Sequence, residues 1–319
     1  MCLLFIMDDM KKKRKKWPWI VLSALVLMVA AAAWFMRPPA NTIPTVSHGS
    51  LDRFPLFNSH HVIPRDVVVW LPSGYQQGDS CDVLYMHDGN MLFDATTTWN
   101  RQEWRVDEVM DSLIAAGKIR PCIVVGIYNT DDRLTEYFPS KSQQFVPENQ
   151  RRDAKLEQLT ADDYLRFIVE ELKPFIDQRY KPLTTREHTF MMGSSMGGLI
   201  SLYAQCEYPQ VFGGVACLSS HLSMDHLPDG VDGDVWATAF RDYVDAKLPE
   251  ANSCLIYMDH GTEDFDADYG EYQQLLDGVI TGHGFDSTHF MTRVYQGHRH
   301  RETSWAERLD QPLLFLLGK

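Results

Sequence analysis

The sequence predicts an α/β fold, a mostly parallel central sheet with helices on both faces. Short apolar runs alternate with longer amphipathic stretches, as parallel strands joined by crossover helices require. About 280 residues follow an unusual N-terminal segment, enough for one large domain with a buried core. Composition is ordinary for a globular chain, 45% apolar and 23% charged, so neither disorder nor a fibrous repeat is indicated. The expected strands cover residues 66–71, 82–87, 122–128, 188–192, 211–218, 253–258 and 290–295. Helical patterns cover 103–116, 161–179, 197–207, 269–281 and 302–317,. Acidic residues in the first turn of the 161–179 pattern suit its dipole. Residues 221–251 have weak periodicity and sit where a cap or lid insertion belongs.

The N-terminus has its own character. Residues 11–16 read KKKRKK, and residues 17–36 carry no charge before Arg37. Twenty apolar residues span a bilayer as a helix. The expectation is a basic cytoplasmic region at 1–16 and a transmembrane signal-anchor at 17–36. A cleaved signal peptide is the alternative, with small residues at Ala30–Ala33 for a peptidase,. Positive charge stays on the cytoplasmic side, so the body should be extracytoplasmic (periplasmic), or secreted if cleaved. Residues 37–50, rich in Pro, Ser and Thr, read as a linker, and 51–319 as the catalytic domain.

The formal net charge is −13. Residues 1–37 hold seven basic and two acidic side chains, so the remainder stands at −18. Such a body repels phosphate backbones, which excludes nucleic acid as an expected partner. The basic run instead suits anionic lipid headgroups. Of six cysteines, five lie in the body, and no CxxC pair occurs. An odd number there favours buried free thiols over a disulfide framework.

The chemistry gathers around residues 190–198, FMMGSSMGG. Gly193-Ser194-Ser195-Met196-Gly197 is a GxSxG pattern between a strand run and a helix run. That context fits the nucleophile elbow of the α/β-hydrolase fold, where a strained turn exposes the serine and glycines relieve the crowding. Ser195 is the expected nucleophile, and the Met196 amide an oxyanion donor at the helix N-terminus. A serine hydroxyl needs a histidine to take its proton and a carboxylate to orient that histidine, here in the order Ser, acid, His. The acid should follow the strand at 253–258, where Asp264 leads and Glu263 and Asp259 are rivals. The base should follow the last strand, where His298 and His300 compete. Their spacing also suits a metal pair, but no HExxH or Cys/His cluster accompanies it, so neither metal nor cofactor is expected. A second oxyanion donor should come from Met86-His87-Asp88-Gly89-Asn90, with Gly89 making a tight turn that presents the Asn90 amide.

Together these motifs resemble the esterase family that includes enterochelin esterases, feruloyl esterases, S-formylglutathione hydrolase and the mycolyltransferases, over about residues 60–317. Arg65-Asp66-Val67 through Leu71-Pro72-Ser73-Gly74-Tyr75 is similar to its opening R-x-V-x-V-x-L-P-x-G-Y strand. Leu84 to Asp94 is similar to its YxHDGQNLFD loop, with Asn90-Met91 in place of Gln-Asn. Trp104-Arg105-Val106-Asp107, Gly126-Ile127-Tyr128-Asn129 with Arg133 and Glu136-Tyr137-Phe138-Pro139, and Glu171 to Asp177 match further signatures. His300-Arg301-Glu302 with Trp305 is similar to H-x-E-x-x-W, which implies His300 as base over His298. Gly261-Thr262-Glu263-Asp264 is similar to the G-x-x-D that carries the acid in several members.

The expected activity is therefore serine carboxylic ester hydrolysis through an acyl-enzyme on a small-molecule ester, such as a siderophore, feruloyl or acyl-sugar ester. The alternatives are an acyltransferase to a sugar or lipid acceptor and a silent binding module. Trp104, Arg133 and Tyr137 are expected at the substrate pocket, with Trp99 and Trp236 as further aromatic candidates. Arg133 would bind an anionic substrate group or pair with Glu136.

Overall fold

A computed structural model describes residues 43–151, 159–224 and 232–319. Its centre is one eight-stranded sheet in the order β1-β2-β4-β3-β5-β6-β7-β8. The strands are β1 (Ser50–Phe57), β2 (Arg65–Leu71), β3 (Asp82–Met86), β4 (Cys122–Ile127), β5 (Thr189–Ser194), β6 (Gly214–Leu218), β7 (Leu255–His260) and β8 (Phe290–Val294). β2 runs antiparallel to both β1 and β4, and every other pairing is parallel. The seven expected strands are present, and the sheet is the α/β-hydrolase arrangement. Strands β2 to β6 are buried on both faces. Val67, Val69, Val83 and Tyr85 face one apolar layer, while Val68, Trp70, Leu84 and Met86 face the other. That is why they read as continuous apolar runs rather than alternating ones.

β1 was not expected. Its sequence, SLDRFPLF, contains a proline and is exposed or half-buried throughout. It is an edge strand whose register shifts between Phe54 and Phe57 around Pro55, as proline at an edge permits,. Residues 43–49, expected as linker, are fastened to the body. The Thr45 amide and hydroxyl donate to Asp94 Oδ2 at 2.9 and 2.8 Å, and the Ser47 amide donates to Asp107 Oδ2 at 2.6 Å. The expected membrane span at 17–36 lies outside the described residues. Among the described residues no helix is long and apolar enough to cross a membrane.

Two expected helices are interrupted, both at proline. The 161–180 helix runs Ala161–Arg166, widens into a π-helical turn at Phe167–Leu172, and continues as Lys173–Tyr180. Pro174 has no N–H to give the preceding turn, and the wider turn accommodates it. The C-terminal pattern splits into Glu302–Arg308 and Asp310–Leu317, with Pro312 in the first turn of the second piece,. In the expected lid region, helix Gly233–Lys247 is capped by Asp232 and buries Trp236, Phe240 and Tyr243. The Trp236 ring stands edge-on to Phe138 at 4.7 Å, so it is core and not a substrate wall. Cys81, Cys122, Cys206, Cys217 and Cys254 are all buried free thiols.

Candidate active site

Ser195 caps the junction between β5 and helix Met196–Glu207, with φ 56° and ψ −124°. A non-glycine residue at positive φ stores strain, which persists only where its surroundings fix it. Here Ser195 N donates to Leu218 O at 3.0 Å, and Ser195 O accepts from Gly198, Leu199 and His221. The flanking glycines are required by contact. A Cβ on Gly193 would meet the Gly197 carbonyl carbon at 2.8 Å, and one on Gly198 would meet Ser220 Oγ at 2.2 Å. Because Gly198 and Leu199 are the first amides to find a helix carbonyl, the leading N–H groups of Met196 and Gly197 have none within the helix,.

His300 follows β8 and lines the same cleft as Ser195, a hollow of about 560 Å³. His298 does not line it. Its Nδ1 lies 3.3 Å from Arg308 Nη1, in a separate open hollow beyond β8. The His300 imidazole is boxed by three rings nearly perpendicular to it: Phe265 at 5.6 Å, Tyr269 at 5.6 Å and Trp305 at 5.2 Å. The carboxylate on its Nδ1 is Asp266 Oδ1, at 2.6 Å.

The expected acid was Asp264, and here the structure differs. Asp264 opens the 3₁₀ turn Asp264–Asp268 at φ 56° and is exposed at the cleft rim, whereas Asp266 is fully buried. Burial opposes the Asp266 charge, but hydrogen bonds from His300, Ser219 and the Gly261 amide outweigh it and hold the carboxyl below its usual range,. Of the rivals, Asp259 is locked to Arg308 by bonds of 2.8 and 3.1 Å, and Glu263 faces Arg299. Two loops are stitched together to place this turn: Thr262 N and Glu263 N both donate to His298 O, at 3.0 and 3.1 Å. A Cβ on Gly261 would lie 2.2 Å from that same oxygen, so glycine is needed for the loops to close.

After β3, the chain turns at Asp88, φ 54°, into the 3₁₀ turn Gly89–Met91. Positive φ thus falls on Asp88 and not on Gly89, whose role is different. A Cβ there would meet the Gly126 carbon at 2.5 Å and the Ile127 nitrogen at 2.7 Å, on the neighbouring β4. Asn90 lies within this turn, between the cleft residues Asp88 and Met91.

Arg133 pairs neither with Glu136 nor with an open space. Its Nε and Nη2 clamp Asp88 at 2.7 and 2.8 Å, while Glu136 is taken by buried Arg65. Although Asp88 is buried, Arg133 and Asn129 hold its pKa below the ordinary value. Beside it, burial drives the His87 imidazole down to about 3. Tyr137 was expected to touch substrate, but it is fully buried, its ring 5.1 Å from the Arg133 guanidinium carbon. Trp104 does line the cleft, its ring tilted against Trp305 with centroids 5.3 Å apart, and exposed Trp99 and Phe265 stand at its mouth. Glu302 is also part of the wall: burial raises its pKa, and it accepts from Asn100 Nδ2 at 2.8 Å.

The Esterase family model, described as "Putative esterase", matches residues 63–316. An endo-1,4-beta-xylanase/feruloyl esterase of Xylanibacter ruminicola is 27% identical over 179 residues, 54% of this chain and 22% of the relative. A siderophore enterobactin esterase of Emericella nidulans is 30% identical over 150 residues, 46% of this chain and 48% of the relative. The match thus spans less than half the length of either curated relative. Among solved structures, a ferulic acid esterase superposes with a TM-score of 0.62 at 21% identity, covering 84% of this chain and 98% of the other. The enterobactin esterase FES of Shigella flexneri gives 0.60 at 19% identity, covering 88% and 62%. These likenesses establish the fold.

Proposed function

The chain belongs to the esterase family, and on that premise we propose that it hydrolyses carboxylic esters through Ser195, His300 and Asp266. The observation that carries the reading is the 2.6 Å contact between Asp266 and His300 Nδ1 in the cleft shared with strained Ser195. A buried carboxylate there keeps the Nδ1 proton in place, so Nε2 has the lone pair. Ser195 Oγ then attacks the ester carbon as His300 Nε2 takes its proton. The oxyanion that forms is met by N–H groups, for which the amides of Met196 and Asn90 are the candidates. As the tetrahedral centre collapses, His300 returns the proton to the leaving alcohol. Water, deprotonated by the same histidine, attacks the acyl-enzyme and releases the acid.

Trp104, Trp305, Phe265 and Trp99 around the cleft support a substrate with a planar aromatic group, as the names of the feruloyl and enterobactin esterase relatives would suggest,. Arg133 already has its charge matched by Asp88, so it supports that loop and does not present a free cation to substrate. The basic and then apolar N-terminal sequence supports a membrane-held enzyme with its cleft on the extracytoplasmic side.

The test is a fluorophosphonate probe with the purified protein. Labelling should map to Ser195, and Ser195→Ala should abolish both labelling and turnover of p-nitrophenyl acetate with little change in Tm. Absence of labelling in folded wild-type protein would sink the proposal.

A further inference from the structure

Behind Asp266 lies a hydrogen-bonded set that the triad alone does not explain. Ser219, just past β6, is fully buried at φ 42°. Its Oγ lies 3.0 Å from Trp305 Nε1, 2.8 Å from Arg308 Nη2 and 2.6 Å from Asp266 Oδ2. Indole and guanidinium N–H groups can only donate, and a hydroxyl has two lone pairs and one proton. Both lone pairs of Ser219 are therefore occupied, and its single proton has one destination, Asp266. The Gly261 amide donates to that same Oδ2 at 2.7 Å. Oδ2 is thus held as an acceptor of two hydrogen bonds, and a proton placed on it would confront two donors. Only Oδ1 is left, and it faces His300.

From this we infer that Ser219, oriented by Arg308 and Trp305, is a positioning residue that keeps Asp266 ionised and Oδ1 turned to His300. The inference rests on the serine-esterase reading of the site. It makes the Nδ1–H tautomer of His300 a consequence of proton counting two residues away. Arg308 can serve without attracting the Asp266 charge to itself, because Asp259, also fully buried, already pairs with it through two bonds. Other titratable groups near the guanidinium are His298, 3.3 Å from Nη1, and Tyr295, whose ring centre lies 4.9 Å from the guanidinium carbon. Trp305 and Arg308 are three residues apart on one short helix, Glu302–Arg308, which begins two residues after His300. The same element therefore positions the base and the two donors, and their spacing is fixed together.

Ser219→Ala tests this. It removes the hydroxyl but not the Asp259–Arg308 pair, and alanine is no more strained at this φ than serine. Activity on p-nitrophenyl acetate is measured per fluorophosphonate-titrated site across pH. The expected result is a kcat lower by about 10- to 100-fold, short of the roughly 10⁴-fold of losing the acid's carboxylate, with little change in KM. The acid limb of kcat/KM should also move to higher pH. With one donor gone, more of the carboxylate's charge is available to stabilise the imidazolium. A merely structural serine would lower the labelled fraction or Tm while leaving per-site kcat and the acid limb unchanged, and that outcome overturns the inference. Should Ser219→Ala fail to fold, ¹⁵N-histidine NMR of the wild type decides, since an Nε2–H tautomer at His300 near neutral pH overturns it equally. Wild-type protein that neither labels nor turns over ester defeats the esterase reading instead, so the two failures are distinguishable.

Discussion

Exchanging Asp266 for Asn, with Asp264→Asn as its partner experiment, separates the two candidate acids. Three donors converge on the Asp266 carboxylate: His300 Nδ1 on Oδ1, and Ser219 Oγ and Gly261 N on Oδ2. An amide has only one acceptor oxygen. If its NH₂ replaced Oδ2, it would oppose two donors, one of which, Ser219, has no free lone pair to turn toward it. The NH₂ is therefore driven to the Oδ1 side, where it forces His300 Nδ1 to become the acceptor. The ring proton then sits on Nε2, and the base cannot take the serine proton. A loss of about 10⁴ in kcat is expected, the scale seen when a triad acid becomes an amide, or about 5.5 kcal/mol of transition-state stabilisation. Asp264 is exposed, and its exchange should change kcat by less than about threefold, as for an exposed substitution worth about 0.5 kcal/mol,. Both variants are assayed with p-nitrophenyl acetate at pH 7.5 after confirming folding by circular dichroism. If Asp264→Asn proves the more damaging of the two, the assignment of the acid is refuted.

Two further predictions concern stability. His87 has its pKa driven by burial to about 3, against an ordinary value of 6.5. The unfolded chain therefore binds more protons than the folded one between those pH values, so this group's contribution falls as pH drops below 6.5, by about 2 kcal/mol from pH 7 to pH 5. Glu103, raised by burial to about 7, acts in the opposite sense, as do Asp107 and Asp277, each raised to about 6. The effect is accordingly read as a difference: urea unfolding of His87→Phe should lose about 2 kcal/mol less than wild type over that interval, and parallel pH profiles would contradict it. Gly89→Ala puts a Cβ within 2.5 to 2.7 Å of β4 backbone atoms that belong to the sheet and cannot yield. It should cost about 1–3 kcal/mol as overpacking does, visible as a lowered Tm, and an unchanged Tm would show that the turn relaxes freely.

Local features of this chain were legible wherever neighbours in sequence set the geometry. The elbow is one case: Gly193, Ser195, Gly197 and Gly198 lie within six positions, and the same close contacts that bend the chain demand the glycines. The buried strands are another, since apolar runs bounded by turns need no knowledge of partners. What escaped was decided by contacts between distant segments. β1 is an edge strand with a proline and no buried face, so its pattern carries no signal, yet Val67 to Leu71 supply the backbone groups it pairs with. Arg133 reads as a neighbour of Glu136, but folding offers Glu136 to Arg65 and brings Asp88, forty-five positions away, to Arg133. The acid is the sharpest case. Spacing put Asp264 first, with Glu263 and Asp259 as rivals, and passed over Asp266 in the same stretch. Only the stitching of that stretch to the His298 carbonyl turns Asp266 inward and leaves Asp264 in solvent. The residue types of the chemistry were written in the sequence; which carboxylate reaches His300 depended on how two loops, thirty-odd residues apart, close against each other.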